Sequence, residues 1–260
     1  MLFQLDMGLL AVGGALAVRF GVLAATLPLL DLRSVPALWR VALAICFASI
    51  LTPAVVAAIP AGTLDLSWPG LVLEAVRSLV IGTLLGFTVN LIFTAVKYAG
   101  SVAGMQIGFA IVNAFDPMTQ SQVSIISQLY YILAVLLFFV TGAHQTLVQI
   151  MFQCCVMVPP FAPLDPAAGS WFLLKEFGTV FELGLRIASP VVVVLLLVSA
   201  SMGVIVKTVP QINVLAVGFP VKIAVGLITF GVSLVFFRQV AVNLMNGLPD
   251  QLSRVLVALS

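Results

Sequence analysis

The chain has 260 residues, of which 62% are hydrophobic and only 8% are charged, and its formal net charge at neutral pH is +2. This composition lies far outside the range of soluble proteins and inside that of integral membrane proteins. A net charge this small, with its eleven Lys and Arg residues scattered along the chain, excludes a nucleic-acid-binding surface.

Apolar runs long enough to cross a bilayer as helices follow one another along the chain, since one span takes about 20 residues. They cover residues 7–30, 41–60, 71–96, 123–140, 145–164, 177–206 and 214–237, and the stretch 98–115 is an ambiguous eighth run. Turn-forming residues separate the runs at 31–36, 60–69, 116–117, 141–142, 159–169 and 210–220. No long linker interrupts the series, so we predict an all-α membrane protein with one compact helical domain.

The basic residues predict the orientation of the runs, because Lys and Arg are enriched in cytoplasmic loops. Two arginines flank the first turn and none lies in the second, which places the N-terminus outside and the first turn in the cytoplasm. Lys97 and the lysines around the last turn then also lie inside, provided that residues 98–122 cross outward. On this scheme Asp116 and Pro117 lie at the external side.

Several prolines lie within the apolar runs, at Pro28, Pro53, Pro190 and Pro220. Each proline removes a helical hydrogen bond and clashes with the preceding turn, so we expect broken helices. In a membrane, irregular backbone is tolerated where it is buried in protein or lines a watery cavity. The prolines therefore favour a transport path, with a kinked structural helix as the alternative.

Residues that could support catalysis are scarce. The sequence contains no recognisable nucleophile, phosphate-binding or zinc-protease motif, and its one histidine, His144, lies in the turn after the fourth complete run. Most acids have a basic partner at helical spacing, such as Glu74 with Arg77 and Glu182 with Arg186, which is typical of local ion pairs. We therefore predict no enzyme activity, no cofactor and no metal site.

The three cysteines, Cys46, Cys154 and Cys155, lie in apolar runs. Their spacing does not match a metal site, and a disulfide between adjacent cysteines would be strained. We predict that all three are buried as small hydrophobic side chains.

Arg19 is the exception among the charges, because it lies in the middle of the first apolar run with no acid within one helical turn. A charge near the bilayer centre costs about 2.5 kcal/mol or more unless it is paired or hydrated. Arg19 is therefore predicted to face protein or water as a buried charge. It either binds a partner or lines a pathway, or its side chain extends to the membrane interface.

Small residues recur at steps of four in two places. Gly82 and Gly86 form one pair, and Gly100, Gly104 and Gly108 form a longer series. Small residues at this spacing allow another helix to approach closely. We predict that these five glycines serve helix packing.

The glycine series continues into a stretch of large side chains, which includes Met105, Phe109, Ile111 and Phe115 and ends at a polar Asp-Pro turn. Met side chains adapt to different neighbours and fill irregular gaps. This combination suits a closable constriction, and it also suits an ordinary re-entrant packing segment.

Three segments, in this order along the chain, resemble the FliR family of flagellar biosynthetic proteins and its injectisome counterpart in type III secretion. They are RSVPALWRVALA at 33–44, GMQIGFAIVNAFDPMTQSQ at 104–122 and VPQINVLAVGFPVKIAVGL at 209–227. Each motif alone is moderately specific, but three motifs in the same order and at matching distances are a strong indication of the family. Together with the order of the apolar runs, the resemblance spans about the whole chain.

The resemblance implies a pore subunit of an export gate in the bacterial inner membrane, within the flagellar basal body. It implies assembly with FliP and FliQ, with FlhB and FlhA nearby, and passage of unfolded flagellar proteins. It also implies kinked helical hairpins wound into the complex, with a FliP-like part at 1–174 followed by a FliQ-like hairpin and tail at 175–260. The family is neither an ATPase nor a peptidase.

By the same resemblance, residues 104–122 form a plug that projects into the closed channel. The residues implied at the gate are Met105, Phe109, Ile111, Val112, Phe115, Asp116 and Pro117. Those implied at a cytoplasmic hairpin, near the channel entrance, are Lys207, Pro210, Gln211, Asn213, Pro220 and Lys222. Anchoring at the membrane interface is the alternative role for the hairpin residues.

Three other functions compete with a flagellar gate. The first is the equivalent injectisome subunit. The second is a solute transporter with broken helices around a midplane site, for which Arg19 is the only candidate charge. The third is an intramembrane enzyme, which the missing pair of nucleophile and base disfavours.

Overall fold

The computed structural model of the chain describes residues 7–27, 36–59, 64–109, 124–162, 166–208 and 214–259. The regular structure in these ranges is helical and comprises α1 Met7–Thr26, α2 Ala37–Ala58, α3 Trp68–Ile107, α4 Ile125–Val140, α5 Ala143–Met157, α6 Pro166–Thr208 and α7 Val214–Leu259. Among the described helices, α1, α2, α3 and the segments Leu174–Thr208 and Val217–Leu259 are long and apolar enough to cross a membrane, and α4 with α5 is a further candidate as a broken pair. The prediction of an all-α membrane protein is confirmed.

α3 passes through the position at which the sequence suggested a boundary between two runs. The runs 71–96 and 98–115 predict separate elements, but the structure has one helix of 40 residues, Trp68–Ile107. A helix of that length extends about 60 Å, twice the thickness of the hydrocarbon core. Lys97 does not interrupt it, because its exposed side chain places the ammonium 4.4 Å from the centroid of the Tyr131 ring. Lys97 therefore lies within one helix and does not separate two elements.

The start of α3 is fixed by local hydrogen bonds in the turn that precedes it. The backbone N–H of Gly70 donates to Ser67 Oγ at 3.2 Å, as expected of a helix cap. Asp65 Oδ1 accepts the backbone N–H of Ser67 at 3.0 Å. Hydrogen bonds from the side chain and the backbone of Ser67 lower the pKa of the Asp65 carboxyl. These contacts explain why the chain turns before residue 68, as the sequence predicts.

The helices continue through Pro53, Pro190 and Pro220, so the prediction of broken helices at these positions is wrong. Pro28 lies outside the described residues. At Pro190 the missing N–H leaves the Arg186 carbonyl without its helical donor, and the hydroxyl of Ser189 donates to that oxygen at 2.8 Å. Such compensation by a neighbouring hydroxyl is how membrane helices accommodate proline.

α7 extends to Leu259, well beyond the predicted end at residue 237. Buried side chains recur on one face of the added segment, at Ala241, Met245, Leu248 and Leu252. Spacings of three and four residues are those of an amphipathic helix. A search for long apolar runs stops at Arg238 because it does not register a helix that is apolar on one face only.

The chain forms two compact units instead of the single domain that its short linkers predict. The first unit comprises Met1–Leu91, Gly142–Phe177 and Gly247–Ser260, and the second comprises Ile92–Thr141 and Gly178–Asn246. In the first unit α1 packs against α2. The proposed division at residue 174, into FliP-like and FliQ-like parts, concerns likeness to other proteins and stays a prediction.

An aromatic cluster forms the core of the second unit. The Tyr130 ring lies 4.6 Å from the ring of Phe237 and 5.1 Å from that of Phe230, measured between centroids. The Tyr130 hydroxyl lies 3.4 Å from Ser233 Oγ, so its polar end also has a partner. Aromatic pairs at these distances add to the stabilisation that burial provides. This core joins α4 to α7.

Candidate functional site

The structure describes the first six residues of the predicted plug segment, 104–109. The remaining gate residues of the sequence prediction lie outside the described residues, namely Ile111, Val112, Phe115, Asp116 and Pro117. The described part of the candidate site comprises the end of α3, which leads into the plug segment, and the parts of α4 and α7 that pack against it.

Backbones come into contact where α3 meets the start of α4. A Cβ added to Gly100 would collide with the backbone of Ser127, and one added to Gly104 would collide with the side chain of Ser124. The Ser127 hydroxyl also donates to the Lys97 carbonyl at 2.8 Å. Gly100 leaves no room for a side chain because the Ser127 backbone fills the space, and a side chain at position 104 would have to displace that of Ser124.

The last turn of α3 packs against α7. Ile107 is fully buried, and a Cβ added to Gly226 would lie 2.8 Å from Ile107 Cγ1. Met105, by contrast, is 60% exposed. The α3 residues on the packed side are thus held by α4 and α7, while Met105 is available to solvent or to another chain.

Gly108 ends α3 through its backbone conformation. Its φ is +106°, a region that L-residues rarely adopt and that glycine adopts at little cost. A Cβ added there would have Phe219 Cδ1 as its nearest neighbour, at 3.9 Å. In the described structure Gly108 is therefore a helix terminator, unlike Gly100 and Gly104, which lie at close helix contacts.

The other glycine pair brings α3 close to α1 in the first unit. A Cβ added to Gly82 would lie 2.5 Å from the carbonyl oxygen of Arg19, and one added to Gly86 would collide with the side chain of Thr26. The Thr26 carbonyl also accepts a hydrogen bond from the side chain of Asn90 at 3.4 Å. Tight approach of α3 and α1 places Arg19 beside residues of α3.

Arg19 has its counterion inside the same unit. The side chain is 1% exposed, and Nη2 lies 3.6 Å from Glu74 Oε1. Nη1 donates to the Val158 carbonyl at 2.8 Å and to Cys154 Sγ at 3.6 Å. Arg19 is thus a buried charge with an internal partner.

The carboxylate of Glu74 collects donors from several elements. It accepts the backbone N–H of Phe161 at 2.7 Å and the hydroxyl of Ser78 at 3.1 Å, and Arg77 lies 3.8 Å away, as the i,i+3 spacing predicts. Phe161 adopts a φ of +66°, which is unusual for a non-glycine residue. The Arg19–Glu74 pair therefore links α1, α3 and the segment after α5.

At the predicted hairpin, Lys207 is exposed at the end of α6, and Pro220 and Lys222 lie near the start of α7. Pro210, Gln211 and Asn213 lie outside the described residues. A groove of about 320 Å³ separates the two helix ends.

We next consider metal binding and cysteine chemistry in the part of the chain that is described. No three His, Cys, Asp or Glu side chains in that part come together as a metal site requires. Cys154 and Cys155 are buried as predicted, but Cys46 is exposed on α2, so that prediction was wrong. Apolar sequence does not distinguish a buried position from one that faces lipid.

Comparisons with known proteins agree with the resemblance seen in the sequence. The family model described as bacterial export proteins, family 1, matches residues 10–248. The chain is 33% identical to the flagellar biosynthetic protein FliR of Bacillus subtilis (strain 168) over 219 residues, 81% of each protein. It is 27% identical to FliR of Pectobacterium carotovorum subsp. carotovorum over 94% of this chain and 92% of that protein. It is 28% identical to FliR of Escherichia coli (strain K12) over 80% of this chain and 78% of that protein.

Proposed function

The chain belongs to the FliR family of bacterial export proteins, and from that premise we propose that it forms the closed gate of the channel through which unfolded flagellar proteins leave the cytoplasm. It is a subunit of the flagellar type III export apparatus and a multi-pass membrane protein. Its family is a transport component with no known catalytic activity. The gate itself and the residues that form it are our proposal.

The observation that supports a gate at residues 104–122 is the way in which α3 ends. Close contacts with α4 and α7 hold the helix as far as Ile107, and the φ of Gly108 then directs the chain out of the helix. The next residue is Phe109, and no charge occurs until Asp116. A helix held by its neighbours and followed in the sequence by an apolar stretch without charge is what a plug requires.

The proposed seal works by excluding water. Large apolar side chains, such as those of Met105, Phe109, Ile111, Val112 and Phe115, close a pore to ions because a narrow apolar passage dewets. They make no specific hydrogen bonds, so an unfolded polypeptide is able to displace them irrespective of its sequence. Asp116 and Pro117 would form the turn that returns the chain from the gate.

Partners and location follow from the proposed assembly. We place the chain in the bacterial inner membrane, in a hetero-oligomer with FliP and FliQ, with FlhB and FlhA nearby. The FliP-like part at 1–174 would carry the plug, and the FliQ-like part at 175–260 would carry the cytoplasmic hairpin. Exposed apolar side chains on α6, such as Val193, Leu197 and Val204, give this chain surfaces for lipid or for such neighbours.

The competing functions fit less well. The relatives compared above are named as flagellar proteins, which favours the flagellum over an injectisome. A solute transporter would use Arg19 at a binding site, but the guanidinium is already paired with Glu74 in the interior of the first unit. The chain working alone as a monomer would favour the transporter.

Deleting residues 109–116 tests the gate and leaves the buried Ile107 and the terminating Gly108 in place. In cells that produce the whole complex, we expect the deletion to admit small ions and membrane-impermeant dyes, because the apolar seal is gone. Co-purification of FliP and FliQ with the variant is the control that the complex assembles. Unchanged permeability of a fully assembled variant complex would contradict the gate.

A further inference from the structure

We propose that the groove between the end of α6 and the start of α7 binds one acyl chain of an anionic phospholipid, with the lipid phosphate at Lys222. The groove lies within the second unit, and the residues that define it are Val198, Met202 and Val206 on α6 and Gly218, Phe219 and Lys222 on α7. The proposal requires only that the chain lies in a membrane, and it holds or fails independently of the gate.

The shape of the groove follows from the spacing of its residues. Val198, Met202 and Val206 recur every four residues and form one stripe along α6. Gly203 lies beside this stripe, and a Cβ built there meets no atom within 4 Å. The floor is therefore open for a long, thin and apolar occupant.

The charge of this region has no internal compensation. No acid occurs between Glu182 and Asp250, whereas four basic residues do, among them Lys207 and Lys222. No described carboxylate lies within ion-pairing distance of Lys222, which sits at the edge of the apolar groove. The described part of this hairpin therefore supplies no counterion for Lys222, and an anion from outside is able to bind there.

A lipid satisfies the groove better than an inserted peptide does. Ser199 is the other polar side chain that lines the groove, and its hydroxyl already donates to the Leu195 carbonyl at 2.8 Å. A peptide backbone in the groove would leave its N–H and C=O groups without partners, which is costly in an apolar site. An acyl chain has no such groups, and a phosphate supplies the single negative charge that Lys222 lacks.

The expected preference for an anionic over a zwitterionic lipid is modest, because it depends on one lysine. Attraction between one Lys and an anionic headgroup corresponds to about a fivefold preference over a zwitterionic lipid. The apolar groove should hold the acyl chains of both lipids equally, so Lys222 alone accounts for the preference.

The test uses the purified export complex in vesicles that contain a phospholipid with a photoreactive acyl chain, either phosphatidylglycerol or phosphatidylcholine. Mass spectrometry of peptides from 198–206 and 217–222 then locates the cross-links. We expect about fivefold more label from phosphatidylglycerol in the unmodified complex. Lys222→Gln should bring the ratio to about one, and Lys222→Arg should keep it.

A side chain that fills the groove provides a second test of the proposal. Gly203→Leu should abolish the label from both lipids, whereas Gly231→Leu, at an equally open position of α7 outside the groove, should change neither. Co-purification of the partner subunits confirms that each variant assembles. The proposal is overturned if the groove peptides are unlabelled, if both lipids label the unmodified complex equally, if Gly203→Leu has no effect, or if a partner protein is found to occupy the groove.

Discussion

Removing Glu74 alone, which leaves the buried Arg19 without its counterion, should destabilise the chain more than removing both charges of the pair. Each side chain is at most 3% exposed, so water cannot compensate for a lost partner. In Glu74→Gln, the Arg19 guanidinium stays charged and keeps only the Val158 carbonyl and the Cys154 sulfur. An uncompensated buried charge of this kind costs about 3–5 kcal/mol.

Removing Arg19 and leaving Glu74 should reduce the unfolding free energy by less, because the Glu74 carboxylate has more remaining partners than Arg19 has in Glu74→Gln. In Arg19→Met, the carboxylate keeps the N–H of Phe161 and the nearby Arg77. We expect a loss of about 1.5–3 kcal/mol, the worth of a hydrogen bond to a charged group. The double variant buries no charge, so it should be more stable than Glu74→Gln alone, which corresponds to a coupling energy of about 3 kcal/mol.

The assay is reversible unfolding of the purified chain in mixed detergent micelles, with the unfolding free energy measured for each variant. Asp250→Asn makes the same chemical change as Glu74→Gln at an exposed position and should stay within about 0.5 kcal/mol of the unmodified chain. Single costs below about 1 kcal/mol, or costs that simply add in the double variant, would refute the claim that the pair holds α1 and α3 together.

Two further predictions concern the glycines of α3. Gly104→Leu should prevent co-purification of FliP and FliQ, because its side chain collides with Ser124 and displaces α4; normal assembly of this variant would show that the contact is dispensable. Gly82→Ala should cost about 1–3 kcal/mol of unfolding free energy, because its Cβ meets the Arg19 carbonyl oxygen, whereas Gly178→Ala, in open space, should be neutral or stabilising by up to about 1 kcal/mol. Equal effects of the two alanine variants would show that α3 does not pack so closely on α1.

Hydrophobicity predicted the order of the described helical segments well, because a chain in a bilayer must satisfy its backbone within helices. Hydrophobicity misplaced the ends of some helices, because the need to satisfy the backbone does not determine where a helix stops. Lys97 was taken to end a run because it is charged, but a side chain on the exposed face of α3 needs no turn and stacks on Tyr131. The continuation of α7 past Arg238 was missed because only one of its faces is apolar.

Which side of a helix is buried was harder to predict than where the helix lies. Lipid and protein interior are both apolar, so hydrophobicity does not orient a membrane helix. Cys46, predicted to be buried, is exposed for this reason. Small residues gave a better indication, and the close contacts of Gly82 and Gly100 are where their spacing suggested.

Contacts between residues that are distant in the sequence could not be predicted from the sequence. Arg19 was recognised as a charge that requires a partner, and Glu74 was assigned to Arg77 at helical spacing, but nothing in one sequence connects the two residues. The same holds for Gly226, whose closeness to Ile107 has no local signal. Ion pairs and packing contacts between distant segments depend on the tertiary fold, and one sequence by itself carries no pattern that identifies them.

The groove and the end of α3 share one side chain, and this has a consequence for the gate. Phe219 lines the groove and is also the nearest neighbour of Gly108, where the helix ends and the proposed plug begins. Ile107 is fixed by α7 just before that point, so movement of the plug has to begin at Gly108 or beyond it. An acyl chain in the groove would contact Phe219 and restrict its motion. Because the same side chain lies nearest to a Cβ built on Gly108, lipid in the groove should limit movement at the end of α3.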